Sequence, residues 1–248
     1  METIHTEQYD EQLKLAVPHF INYPELLPHI GEFWDTSPYK YLIIAESHYI
    51  DTKCFRKSHY NDWYNESSNN FIEDDLVENI YYYRNYINTR RNVNNAFVNN
   101  KKESEKPYRH YYNMRKEFRN NLDFFKENDI VFNYLSYYNY FQRPAFVQGE
   151  SIDNNENDNV FAYHTFNSLI NIIKPTKVIF ISKKSFDAYN KIRIQNNDVQ
   201  LEIVKNNFAP HAGMPWWNRR SANYGKNIDT GKNRTGRERF IDIITNKI

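Results

Sequence analysis

The chain has 248 residues, 40% of them hydrophobic, and a formal net charge of +1, so it can form one large domain or two small ones and is not a polycation overall. Its single cysteine, Cys54, excludes intrachain disulfides and a cysteine-held metal cluster, and no apolar run reaches the ~18 residues needed to cross a membrane. The start Met-Glu-Thr-Ile-His-Thr-Glu is polar and acidic, unlike a signal peptide, and the expectation is a cytoplasmic protein without a metal or cofactor.

Residues 1–20 read as a short helix with a polar face, followed by a loop-rich stretch punctuated by Pro24, Pro28 and Pro38. Tyr41-Leu-Ile-Ile-Ala45 is short, apolar and bounded by turn formers, which predicts a buried strand. Clusters of Asn, Ser and Asp make 50–70 a loop. From Ile72 to Phe125 the pattern is mostly helical, with a polar loop expected from Asn92 to Lys106. Most of the arginines at 84, 90, 91, 109, 115 and 119 are read as solvated helix-face residues. Ile130-Val-Phe-Asn-Tyr-Leu135 is a second buried strand, and Asp153 to Asp158 an acidic loop. Val160 to Ile173 is an amphipathic helix with Phe161, Phe166, Leu169, Ile170 and Ile173 near one face, and His164 is read as packing. Pro175 stops that helix, Lys177 to Ser182 is a strand, and Ser185 to Ile192 begins another helix. Val199 to Val204 is the last strand, and Gly236 to Ile244 closes the chain as a helix. Helix, strand and helix joined by short links indicate a layered α/β fold. The expected organisation is one α/β domain over 1–248. It has three layers, α/β/α, around a mostly parallel four-stranded sheet, with 50–125 a helical and loop insertion between the first two core strands.

Three clusters carry chemistry. The first strand runs into Glu46, Ser47, His48 and Tyr49, where an α/β sheet presents ligand-binding groups. Glu46 can orient water or act as a base, and His48 titrates near neutrality; the alternative is a turn in which both only satisfy backbone groups. Asn133 interrupts an apolar strand and needs partners for its amide, from its own sheet or from a nucleobase edge. Behind the last strand lie His211 and the loop Met214-Pro-Trp-Trp-Asn-Arg-Arg220. Trp216, Trp217, Arg219 and Arg220 suit either a nucleic-acid contact with unstacked bases or a Trp-anchored surface loop. Between 205 and 239 eight Lys or Arg face only Asp229 and Glu238, a local basic segment. Aromatics make up 17% of the chain, with 21 Tyr, 17 Phe and 4 Trp, through base composition of the gene or as stacking platforms. There is no Gly-rich phosphate loop and no Gly-x-Ser-x-Gly elbow. The His residues, His48 and His59 included, show no metal-ligand spacing.

The order of these pieces resembles the uracil-DNA glycosylase superfamily. Ala45-Glu-Ser-His-Tyr49 stands where that family's first strand ends in Gly-Gln-Asp-Pro-Tyr-His or Gly-Glu-Ala-Pro-Gly. Asn133, with Arg143-Pro144, stands for its base-reading Asn and Arg-Pro. Ile170 to Pro175 leads into Val178-Ile-Phe-Ile181 as in the third core strand. His211-Ala-Gly stands for His-Pro-Ser, ahead of Met214-Pro-Trp-Trp217. The likeness runs in pieces over 38–220, and Ser47 occupies the place of a water-activating Asp. The resemblance implies hydrolysis of the N-glycosidic bond of a flipped base in DNA. Asn133, Ser47 and Tyr49 would hold the base, His211 would stabilise the departing base, and Glu46 or His48 would position water. The alternatives are a catalytically inactive nucleic-acid or nucleotide-binding module on the same fold, and a small-molecule hydrolase or transferase using the same pocket.

Overall fold

The computed structural model describes residues 4–49, 63–64, 84–99, 105–145 and 150–248. Cys54, His59, the expected loop over 50–70 apart from 63–64, and the first part, 72–83, of the helical pattern expected from Ile72 to Phe125 lie outside them.

Four strands form one sheet: β1 (His29–Ile30), β2 (Tyr41–Ala45), β3 (Ser136–Asn139) and β4 (Lys177–Phe180), in the order β1-β3-β2-β4. β2 runs parallel to both β3 and β4, with Ala45 opposite Asn139 and Ile44 opposite Phe180. β1 is antiparallel to β3. All five residues of β2 are buried, as a central strand covered on both faces requires.

Side chains alternate across the sheet and divide the interior into two cores. On one face Leu42, Ile44, Val178 and Phe180 pack with Leu13 of α1 (Asp10–Ala16), Phe166 and Leu169 of α5 (Glu156–Ile173) and Tyr189 of α6 (Lys183–Gln195). On the other, Tyr41, Ile43, Tyr137 and Ile179 pack with Val93 of α3 (Thr89–Phe97), Met114 and Phe118 of α4 (Arg109–Asn121) and Phe240 of α7 (Gly236–Ile244). Helix, sheet and helix make three layers. A further short helix, α2 (His19–Asn22), follows α1.

The α5–β4–α6 run follows the sequence pattern. Asn155 caps α5 in a reciprocal box with Asp158. Lys174 ends the helix in the left-handed region at φ 49°, and Pro175 prevents its continuation. Ser182 caps α6, and α7 spans the expected 236–244. His164, expected to pack, is exposed.

Four expectations are corrected. The second core strand is not Ile130–Leu135 but Ser136–Asn139; Val131–Asn133 form a 3-10 turn instead. The carbonyls of Asn133 and Leu135 accept from Phe33 and Gly31, at 2.7 and 2.9 Å, in the turn after β1. A Cβ at Gly31 would lie 2.3 Å from the Asn133 carbonyl oxygen, so this approach needs glycine. Nor do Val199–Val204 form a strand. Val199 is 86% exposed, and Val204 and Lys205 donate back to the Leu201 and Glu202 carbonyls at 2.9 and 3.2 Å, which curls the segment into turns instead of an extended chain. The edge of β4 is instead covered by 203–209: Val178 donates to Ile203, Phe180 to Asn207, and Ala209 back to Phe180, each at 2.8 Å. Finally, Asn92–Phe97 belongs to α3, which Asn88 caps through Arg91 N–H. Arg90 of α3 is no solvated face residue; it forms a bidentate pair with Asp10 at 2.8 and 2.5 Å.

Candidate functional site

The parallel register places the carboxyl ends of β2, β3 and β4 side by side, and the chain segment after Phe208 joins them. Glu46, Ser47 and His48 leave β2, Asn139 ends β3, Ser182 follows β4, and His211 follows the Phe180–Phe208 bridge. Such an edge is where α/β sheets gather ligand-binding groups.

Asn139 is the residue that sequence reasoning missed. It is directly opposite Ala45, and its Nδ2 lies 3.0 Å from His48 Nε2. His48 is buried and its Nε2 also lies 3.0 Å from Thr89 Oγ1 of α3. Burial pushes the His48 imidazole down to about 3, so the ring is neutral at pH 7. With the amide nitrogen donating to Nε2, the imidazole proton sits on Nδ1. The pair leaves Asn139 with a second N–H and its Oδ1, a donor and an acceptor in one plane.

Glu46 is half-buried and anchored. Its Oε1 accepts from Ser151 Oγ at 2.5 Å and Ile152 N–H at 3.0 Å, and its Oε2 from Ser182 Oγ at 2.8 Å. Ser182 is also the N-cap of α6, whose positive dipole end faces the carboxylate. Ser185 Oγ donates to the Ala45 carbonyl at 3.1 Å and fixes the same corner. Ser47 is buried, and its hydroxyl has no partner among the described residues. Tyr49 is half-buried, within electrostatic reach of Glu46.

His211 accepts from Gly213 N–H through Nδ1 at 3.2 Å. That bond places the imidazole proton on Nε2. Burial lowers His211 to about 4, against the opposing pull of the Glu46 carboxylate. The ring is therefore a neutral donor at pH 7. Asn113 of α4 holds its loop by donating to the Ala212 carbonyl at 2.6 Å, and Gly236 at the start of α7 sits so close to Pro210 that a Cβ would lie 2.0 Å from Pro210 Cγ.

Asn133 is not part of this group. It lies ahead of β3, at the opposite end of the sheet, half-buried with its Oδ1 unpartnered among the described residues. The four loop residues also separate. Trp217 is buried against Phe240 at 5.3 Å between ring centroids. Arg220 pairs with Glu238 at 3.1 Å and donates to the Asn233 carbonyl at 2.6 Å. Trp216 is 51% exposed, and Arg219 lies over its ring, 5.7 Å from the centroid. Only this last pair offers a free stacking and cationic surface.

Behind the site, Arg143 and Asp158 form a fully buried bidentate pair at 2.9 and 2.7 Å. Asp158 also accepts from Tyr64 hydroxyl at 2.7 Å and Asn155 N–H at 2.9 Å, and Arg143 donates to the Asp153 carbonyl at 2.7 Å. This hub ties the segment after β3 to the start of α5 and fixes the strip that runs beside 45–49.

Among the described residues no group of three or more His, Cys, Asp or Glu could hold a metal ion, and no helix is long and apolar enough to cross a membrane. Two surface cavities, of about 600 and 450 Å3, lie away from the Asn139–His211 group. No protein-family model, curated protein or solved structure matches the chain.

Proposed function

We propose that this protein is a divergent nucleobase glycosylase, which hydrolyses the N-glycosidic bond of a base flipped out of DNA. The observation that carries the reading is the convergence of Glu46, Asn139 and His211 on one edge of the sheet. Asn139 replaces Asn133 as the base-reading residue, and Arg143-Pro144 follows it at short range.

Each group has a role that its geometry suits. The free N–H and Oδ1 of Asn139 match the acceptor–donor edge of a base such as uracil. His211 presents Nε2–H, a neutral donor for the negative charge that builds on the departing base. The anchored Glu46 carboxylate stabilises the positive charge that develops on the sugar carbon as the bond breaks; water then adds to that carbon, forming the new C–O bond and releasing the proton that neutralises the departed base. Tyr49 offers a ring for stacking. His48 does not act as the base; its Nε2 is taken by Asn139 and Thr89, and it orients the amide. Trp216 and Arg219 contact the unstacked strand, while Trp217 and Arg220 are committed to the fold.

A second reading has its own observation. Three donors already occupy the Glu46 carboxylate, and Ser47 stands where a water-activating Asp is expected. Both favour a module that binds a base or nucleotide without cleaving it. Incubation with uracil-, hypoxanthine- and xanthine-containing strands separates the two. Free base above the level of a His211→Ala control supports the glycosylase. Salt-sensitive binding without release supports the binding module.

A further inference from the structure

The insertion between β2 and β3 supplies a histidine that neither reading uses. His110, near the start of α4, is buried and faces His211 with ring centroids 4.7 Å apart and planes tilted by 38°. Its Nε2 is held by a side chain of the central sheet. The Tyr137 hydroxyl lies 3.2 Å from Nε2, within hydrogen-bond distance, and the Pro107 carbonyl is a backbone neighbour of the ring. Tyr137 is in turn hydrogen-bonded to Tyr111. The series Tyr111–Tyr137–His110 thus ends in a ring tied to the sheet through Nε2, and His211 lies against it.

We propose that His110 is a positioning residue for His211, a fixed platform that holds the second imidazole in its Nε2–H tautomer toward the substrate. The role rests on the glycosylase reading for its catalytic meaning, while the positioning itself does not require it. A second contact works in the same direction. A Cβ at Gly213 would meet His211 Cε1 at 3.2 Å and His110 Cβ at 3.5 Å, so Gly213, whose amide bonds His211 Nδ1, packs closely against both histidines. The groups facing His211 are Glu46 from the end of β2 and His110 from α4, with Tyr137 of β3 behind His110. Burial holds His110 well below the usual imidazole range, and the neighbouring His211 lowers it further, so two neutral rings meet at pH 7.

Nitrogen-15 NMR of the imidazoles at pH 7 tests this in the full chain. Wild type is expected to show His211 protonated on Nε2 alone. His110→Leu removes the ring but keeps an apolar side chain; His211 is then expected to mix its two tautomers, with base release reduced at least about tenfold in kcat and little change in KM. His110→Phe restores the aromatic platform and is expected to restore the single tautomer. If His110→Leu does not fold by circular dichroism, Tyr137→Phe takes its place; it frees the His110 ring and moves His211 in the same direction by less. A His211 tautomer unmoved in the folded variant, or mixed equally in the Leu and Phe variants, overturns the proposal. The NMR signal needs no substrate. A wild-type protein that releases no base therefore counts against the glycosylase and leaves the positioning role standing, whereas an unmoved His211 with intact base release defeats the positioning role alone.

Discussion

Asn139 and His48 meet at 3.0 Å, amide nitrogen to imidazole nitrogen, across the carboxyl ends of two adjacent parallel strands. The contact exists because Ala45 and Asn139 share a register position, which leaves His48, three residues past Ala45, free to turn back over the end of β3. It fixes the amide of Asn139 with one donor and one acceptor unused.

Asn139→Ala is therefore expected to lower base release by about a hundredfold or more, the loss seen when one well-placed hydrogen-bonding group leaves an active site. Stability should fall by only about 1 kcal/mol, because His48 keeps Thr89 as a partner. Single-turnover rates and urea midpoints measured on one preparation check both numbers. A loss of stability without a loss of release would make Asn139 a structural residue only.

Arg143→Met leaves the Asp158 carboxylate buried without its cation. The expected cost is about 3–5 kcal/mol, read as a fall in the denaturant midpoint. The double change Arg143→Met with Asp158→Leu removes both charges and should recover part of that loss. Equal losses in the single and double variants would show that the charge itself is not what matters.

The buried histidines set the response to acid. Burial lowers His19, His29 and His48 to about 3 and His211 to about 4, whereas an unfolded chain titrates near the ordinary 6.5. Between those values the unfolded state binds more protons than the folded one, so stability falls as pH falls. Each such group contributes a slope of about 1.4 kcal/mol per pH unit in that window. Stability is expected to be flat above pH ~7 and to drop steeply from about pH 6 toward 4. Urea midpoints across that range test it, and a flat profile down to pH 4 would contradict the burial of these rings.

The two tryptophans predict opposite phenotypes. Trp217→Ala empties a buried position and should cost about 3–5 kcal/mol. Trp216→Ala should change stability by less than about 0.5 kcal/mol and weaken binding to single-stranded DNA. Arg219→Ala should weaken the same binding and reduce its salt dependence by about one ion. Arg220→Ala should do neither as strongly, since Glu238 already holds that side chain. Fluorescence anisotropy at several salt concentrations separates the four residues.

Much of the architecture is legible in the sequence where local signals agree. β2 is an unbroken apolar run, and α5 has a cap, a periodic face and a terminating proline. The second core strand is displaced because Ile130–Leu135 is more apolar than Ser136-Tyr-Tyr-Asn139. Burial of the latter depends on tertiary bonds, such as Ser136 Oγ to the His29 carbonyl at 2.7 Å, that no local pattern reveals. β1 is only two residues long and has no periodicity to detect. Val199–Val204 alternates like a strand, but Val199 and Leu201 are exposed. α3 is hidden by its asparagines, which are weak helix formers, although Asn88 is a good cap and Val93 and Ala96 face the core. Of the site, Glu46, His48 and His211 are legible as polar groups beyond apolar runs. Asn139 carries one signal, its place ahead of Arg143-Pro144, and the strand displacement obscures it. His110 carries none, because its partner is about a hundred residues away.

The central claim is that Asn139 and His211 act together on a flipped base. Its most direct test is single-turnover release of free base from uracil-, hypoxanthine- and xanthine-containing strands, comparing wild type with Asn139→Ala and His211→Ala. The account predicts release from at least one of these strands, reduced about a hundredfold or more in each variant. Release that both variants retain, or its absence from wild type on all three strands, would contradict it.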